Sequence, residues 1–295
     1  MIPKHAIGIA ALALALTGCG ERTEPLAPDL SPYPVSARGA GDRPAVLNSR
    51  PERVVALDPG AAELVAAVGA ADRLVGVPSE VSAAVPENAT RVVGLSGQVD
   101  VRRAVELEPD LVVTAAAVDP GDVSRVYRAT GAALYIQPDR SLREVERAAV
   151  ELGLLLDEAV AGRLLAQSIR RKAAAVATRI GTRRSVRVFV DTGFLVTVPA
   201  RSLLGDLVRR AGGESVAGPT PPPDGFAPCD VVRFRPETIL TTESRTSILR
   251  RLNRAGCPAR GIAVVELPTG ATQAGPRVAQ ALEQIARALH PDAFA

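Results

Sequence analysis

Apolar positions along this chain change period several times, and the changes divide it. Short unbroken runs such as Arg53 to Asp58 (RVVALD) and Asp110 to Thr114 (DLVVT) are bounded by charges or proline. That pattern predicts strands buried on both faces. Further strands are expected at Arg73 to Val77, Arg91 to Leu95 and Ala133 to Ile136. Helical spacing runs from Pro59 to about Val68, from Val101 to Leu107 and from Asp122 to Ala129. Proline suits the first turn of such a helix, where its missing N–H has no partner to lose. Strands alternating with helices predict a parallel sheet covered on its faces.

From Ser141 to about Ile180 no strand is predicted, only helical periodicity divided at Gly153. The second piece, Leu156 to Ile180, places Val160, Leu164, Leu165, Ile169, Ala173 and Val176 near one face. At 1.5 Å per residue it spans about 37 Å, enough to bridge two lobes. Alternation then resumes with strands at Val186 to Asp191 (VRVFVD), Thr238 to Thr242 and Ala263 to Leu267. Helices are expected at Ser202 to Ala211, closed by Gly212-Gly213, at Thr246 to Asn253 and at Pro276 to Leu289. The halves echo each other, since Asp100 to Thr114 and Asp230 to Thr241 both read as short helix, proline and buried strand. The expected architecture is α/β: two Rossmann-like α/β lobes joined by one long backbone α-helix, with the ligand cleft between lobes, beyond the carboxyl ends of their strands. Residues 52–140 form the first lobe, 141–181 the helical linker and 182–295 the second lobe.

The opening residues follow a different logic. Lys4 precedes an apolar run, Ala6 to Leu16, which is shorter than the ~20 residues of a membrane span and has the layout of a signal peptide over residues 1–18. Its ending, Leu16-Thr17-Gly18-Cys19, resembles the bacterial lipobox, in which the cysteine is acylated; an ordinary signal peptide cut elsewhere is the competing reading. Pro25, Pro28, Pro32, Pro34 and Pro44 interrupt residues 19–51, which therefore read as an extended tether.

Composition narrows the function. Nearly half the residues are apolar, so a sizeable core is expected, while the net charge of +3 is dispersed and tryptophan is absent. Without a clustered basic stripe or aromatic platforms, nucleic acid is not an expected partner. Of the two histidines, His5 lies in the signal and His290 near the carboxyl terminus, so neither a nucleophile–base pair nor a histidine-based metal site is expected. No enzyme and no cofactor is predicted. After Cys19 two cysteines remain, Cys229 and Cys257. Outside the cytoplasm they read either as a disulfide or as two tolerated thiols.

The run Arg53 to Gly69 (RVVALDPGAAELVAAVG), the run Glu106 to Thr114 (ELEPDLVVT), Leu204 to Glu214 and Ala274 to Pro291 together resemble the helical-backbone substrate-binding proteins of ABC importers, the class that carries cobalamin and ferric siderophores. The resemblance covers about four fifths of the chain, from Arg53 to the end. It implies a monomeric, extracytoplasmic lipoprotein that captures a metal chelate and delivers it to an ABC permease and its ATPase. The family's permease-docking glutamates fall here at Arg102 and Cys229. Asp100 and Asp230 are the neighbouring carboxylates, read either as docking residues or as helix caps. The rival function is an envelope lipoprotein of the same fold that acts as an interaction scaffold without transport.

Loops after the strand ends supply the expected ligand contacts. In the first lobe these are Asp58, Pro59, Gly60, Ser79, Glu80, Ser96 and Gln98; in the second, Thr192, Phe194, Arg201, Phe226, Glu243, Ser244 and Arg245. Arg201 and Arg245 suit an anionic chelate but also read as solvated surface charges. Phe194 and Phe226 suit a planar ligand but also read as core. Asp58 doubles as a helix cap.

Overall fold

Residues 32–267 and 270–295 are described by a computed structural model. The expected signal peptide, Cys19 and the first part of the expected tether lie outside these residues. The described chain opens with an antiparallel pair, β1 (Val35–Ala37) and β2 (Ala45–Leu47). Val35, Ala37, Ala45 and Leu47 are buried while Ser36 and Val46 face out, a period of two hidden among the prolines. Side-chain and backbone ties hold this hairpin down: Tyr33 donates its hydroxyl to the Leu155 carbonyl, and the Gly39 amide donates to Glu151. The tether expected to reach residue 51 is corrected here, because residues 35–47 belong to the folded body.

The first lobe follows in chain order as β3 (Val54–Ala56), α1 (Pro59–Val65), β4 (Leu74–Pro78), β5 (Thr90–Val93), α2 (Val101–Glu106), β6 (Leu111–Ala115), α3 (Pro120–Thr130) and β7 (Ala133–Gln137). Its five strands are parallel in the order β5-β4-β3-β6-β7. The central β3 and β6 are buried at every position, which is why they read as unbroken apolar runs. Asp58, Asp100 and Asp119 each accept a backbone N–H of the first turn of the helix they precede.

Two helices then form an antiparallel hairpin, α4 (Leu142–Leu155) and α5 (Ala159–Ile180). The break falls at residues 156–158, where Asp157 has φ 60°, and not at Gly153. Gly153 instead sits inside α4, where a Cβ would meet the Gly162 Cα of α5 at 2.9 Å. The glycine signal marks close helix packing rather than an end. The long helix is therefore one turn shorter than its sequence pattern suggested, about 33 Å.

The second lobe contains β8 (Val186–Asp191), α6 (Leu203–Arg210), β9 (Gly213–Ser215), α7 (Pro228–Arg233), β10 (Thr238–Thr241), α8 (Arg245–Arg254), β11 (Ala263–Glu266) and α9 (Val278–Leu289). Its parallel sheet has the order β11-β10-β8-β9. One apolar core runs through both lobes by way of α4, α5 and α9, and two smaller cores cover the outer face of each sheet. Residues Pro32–Ala295 thus form one compact unit that holds all the described core.

Where the lobes meet, backbone contacts are tight. Gln137 donates its side-chain N–H to the Ala274 carbonyl at 2.9 Å, and the Leu142 amide donates to Asp206. A Cβ on Gly60 would lie 2.9 Å from the same Ala274 oxygen. Because that oxygen belongs to backbone, it yields little. We therefore expect Gly60→Ala to cost about 1–3 kcal/mol, read as a lower urea midpoint; an unchanged midpoint would show that the two lobes separate freely at this contact.

Candidate functional site

Parallel strands leave their carboxyl ends, and the loops that follow them, on the side of each sheet where ligands bind in open α/β folds. In the first lobe, Asp58 sits at this end of β3 and caps α1: its Oδ1 accepts the Ala61 amide at 3.0 Å. Burial raises its pKa above the usual carboxylate range, and the neighbouring Asp139 adds to the rise. Asp139 is raised too, again chiefly by burial, while accepting the Ala116 amide. Pro59 and Gly60 start α1 beside them. Gly60 is corrected as a ligand contact, since Ala274 and Gly275 of the second lobe cover it.

Three expected contacts converge further out. Ser79, Ser96 and Gln98 line an open cavity of about 360 Å³ together with Arg91, Asp100 and Arg103. The Ser79 hydroxyl donates to the Val93 carbonyl, and an antiparallel bridge between Val93 and Val99 closes the turn that carries Ser96 and Gln98. Glu80 is exposed beside Ser79. Arg91 escaped the sequence reading because it lies inside a strand; its Nη1 is buried without a hydrogen-bond partner among the described residues.

The second lobe builds a more rigid feature at the end of β8. Buried Asp191 accepts the Gly193 and Leu195 amides through Oδ1 and the Thr241 hydroxyl through Oδ2. Thr192 donates its amide and hydroxyl to the Val196 carbonyl. These bonds hold two consecutive non-glycine residues, Phe194 and Leu195, at φ 56° and 64°. Left-handed backbone costs such residues of order 1–2 kcal/mol each. The strain turns Leu195 into the core and leaves Phe194 79% exposed.

Glu243 locks that conformation. It accepts the Phe194 amide at 2.6 Å, the Ser247 hydroxyl at 2.6 Å and both Nη atoms of Arg251 at 2.7 and 3.0 Å. Those hydrogen bonds, Arg251's first, hold its pKa down to about 2. The Arg251 guanidinium in turn lies 4.8 Å from the Phe194 ring centroid, a cation–π contact. Glu243, expected to face ligand, is a scaffold for Phe194 instead. Arg251 was missed because it is one of several arginines on α8, with no local pattern to distinguish it.

Other expected contacts separate. Phe226 packs edge-on against Phe189 and Phe234, with ring centroids 5.8 and 5.1 Å apart, half-buried against the outer core of the second sheet rather than held out as a stacking platform. Ser244 caps α8 through the Ser247 amide, and the Arg245 amide donates to Glu266. Arg201 and Arg245 are exposed, and neither side chain has an ion pair among the described residues. Asp100 and Asp230 each pair with the arginine three residues on, Arg103 and Arg233. Cys229 and Cys257 are joined in a disulfide with Cα atoms 5.2 Å apart.

Among the described residues no helix is long and apolar enough to cross a membrane, and no three metal-ligating side chains converge. Comparison with known proteins agrees with the architecture. The chain is 25% identical over 276 residues to a cobalamin-binding protein of Halobacterium salinarum, covering 88% of this chain and 74% of that one. Its fold superposes on the periplasmic vitamin B12 binding protein BtuF of Vibrio cholerae with a TM-score of 0.71 at 22% identity, over 83% of this chain and 98% of that one. The periplasmic heme-binding protein RhuT of Roseiflexus sp. RS-1 superposes with a TM-score of 0.69 at 23% identity, over 82% and 99%. Residues 54–242 match the periplasmic binding protein family, so the chain belongs to that family, whose members capture solutes outside the cytoplasm for ABC import.

Proposed function

We propose that this protein captures a metal chelate, a corrinoid or ferric siderophore, in the cleft between its lobes and hands it to an ABC permease. One observation carries the reading: a strained, doubly braced loop at the end of β8 presents an exposed Phe194 ring backed by Arg251. A planar macrocycle would stack on such a ring, with the Arg251 guanidinium behind it. Arg201 and Arg245, exposed on other loops of the same lobe, would meet an acidic periphery only if the ligand extends to them. The cobalamin-binding relative of Halobacterium salinarum supports a corrinoid first. Acylation at Cys19, outside the described residues, belongs to the same proposal and would place the protein at the membrane of its permease.

The test is a direct titration of the Pro32–Ala295 unit with cyanocobalamin, a ferric hydroxamate and hemin. We expect saturable binding of one of them, weakened roughly tenfold by Phe194→Ala, in line with about 1.4 kcal/mol for an aromatic stack. Binding unaffected by that substitution would remove the ring from the site. The second reading, a scaffold without transport, is favoured by the local pairing of Asp100 with Arg103 and Asp230 with Arg233. Well-folded protein that binds none of the chelates would favour it.

A further inference from the structure

Large apolar side chains that face solvent are concentrated in one place. Eight are exposed among the described residues, and four of them lie on the α4–α5 hairpin: Val150 (40%), Leu154 (38%), Val160 (64%) and Leu164 (57%). Val150 and Leu154 are one turn apart on α4, and Val160 and Leu164 one turn apart on α5. The Gly153–Gly162 contact sets these two turns side by side. The packed side of the hairpin is complete without them, since Gly162, Ala166, Ile169 and Val176 of α5 are buried. Four neighbouring aliphatic side chains on a surface mark a contact with something else.

Charge identifies the partner. The net charge is dispersed over the chain as a whole, but between Glu158 and Asp191 the sequence has eight cations and no carboxylate. Arg170, Arg183 and Arg184 are neutralised by Glu146, Asp292 and Glu237 from outside that stretch. Helical spacing puts Arg163 and Arg171 on the same outer face of α5 as Val160 and Leu164. Both arginines are exposed, and neither has an ion pair among the described residues. A second copy of the chain would bring this cationic face against itself. Aliphatic side chains beside unpaired arginines instead match an anionic phospholipid surface, where the side chains enter the headgroup boundary and the guanidinium groups meet phosphate.

We propose that the exposed face of the α4–α5 hairpin rests on an anionic lipid bilayer. This contact lies on the helical hairpin, apart from the loops that carry Phe194 and from Cys19, so it is independent of both chelate binding and acylation.

The experiment is vesicle co-sedimentation of the Pro32–Ala295 unit, which lacks the amino-terminal segment. Vesicles of phosphatidylcholine with phosphatidylglycerol are compared with phosphatidylcholine alone. Binding is expected to the anionic vesicles and to weaken with added salt. Arg163→Gln with Arg171→Gln should weaken it roughly thirty-fold, from about 1 kcal/mol per cation. Val160→Gln with Leu164→Gln should weaken it about tenfold or more. All four positions are exposed, so both variants should keep the parent melting temperature. No sedimentation with anionic vesicles would overturn the proposal, as would binding that neither variant reduces. So would a concentration-dependent dimer that Val160→Gln with Leu164→Gln abolishes, since the occupant would then be a second copy.

Discussion

Serine at both Cys229 and Cys257 lowers the free energy of unfolding by about 3.5 kcal/mol, the chain-entropy value for a loop of this length, closed across a sequence separation of 28. The bridge ties the first turn of α7 to the segment after α8, on the outer face of the second sheet. Val231 of α7 and Ile248 and Leu252 of α8 share a small core there with Phe189 and Ile239. That core is modest, so the covalent link carries much of the local stability. Urea unfolding with and without dithiothreitol checks this: the parent midpoint falls on reduction, and the double-serine variant gives the reduced midpoint in both conditions. Equal midpoints for oxidised and reduced parent would mean that packing alone holds α7 and α8. An oxidised pair also suits the extracytoplasmic compartment that family membership implies.

Much of the scaffold is legible in the sequence because local rules and the global fold agree there. The buried strands β6 and β8 read as apolar runs, and Asp58, Asp100, Ser141 and Ser202 each precede a helix that they cap. The site is less legible, for a physical reason. Phe194 and Phe226 are the same residue type on loops of the same lobe, yet one faces solvent and the other lies half-buried against a core. Partners at long range decide between them: Phe189 and Phe234 surround one ring, while Glu243 and Arg251 prop up the other. Glu243 likewise reads as a cleft carboxylate until its four hydrogen bonds are counted inward. Gly60 reads as a ligand contact; what approaches it is the backbone of Ala274, more than two hundred residues away. The β1–β2 hairpin was hidden differently. Its strands are three residues each, and glycine and proline around them mask an alternation that emerges only when α4 and β7 supply a surface to cover.

The same long-range logic governs how firmly the two lobes are held. Glu63 of α1 is almost fully buried and accepts Nε and Nη2 of Arg277, at 3.1 and 2.7 Å, from the start of α9 in the other lobe. Arg277→Gln leaves that carboxylate buried without its cation. Breaking a buried pair costs about 3–5 kcal/mol; because the arginine side chain is 43% exposed, water screens part of the loss and the lower end, about 3 kcal/mol, is expected. Glu63→Gln combined with Arg277→Gln removes the stranded charge and should recover more than half of it. The measurement is a double-mutant cycle in urea, with each single variant and the pair. If the double variant is as unstable as Arg277→Gln alone, the guanidinium acts by packing over α1 rather than by charge. Scattering on the same variants separates stability from shape. With Gln137 and Leu142 still bonded across the junction, the lobes should keep their separation in Arg277→Gln. On the proposed reading, a stiff α5 and several independent ties between the lobes would leave ligand affinity to depend on how Phe194 and its neighbours are held rather than on closure.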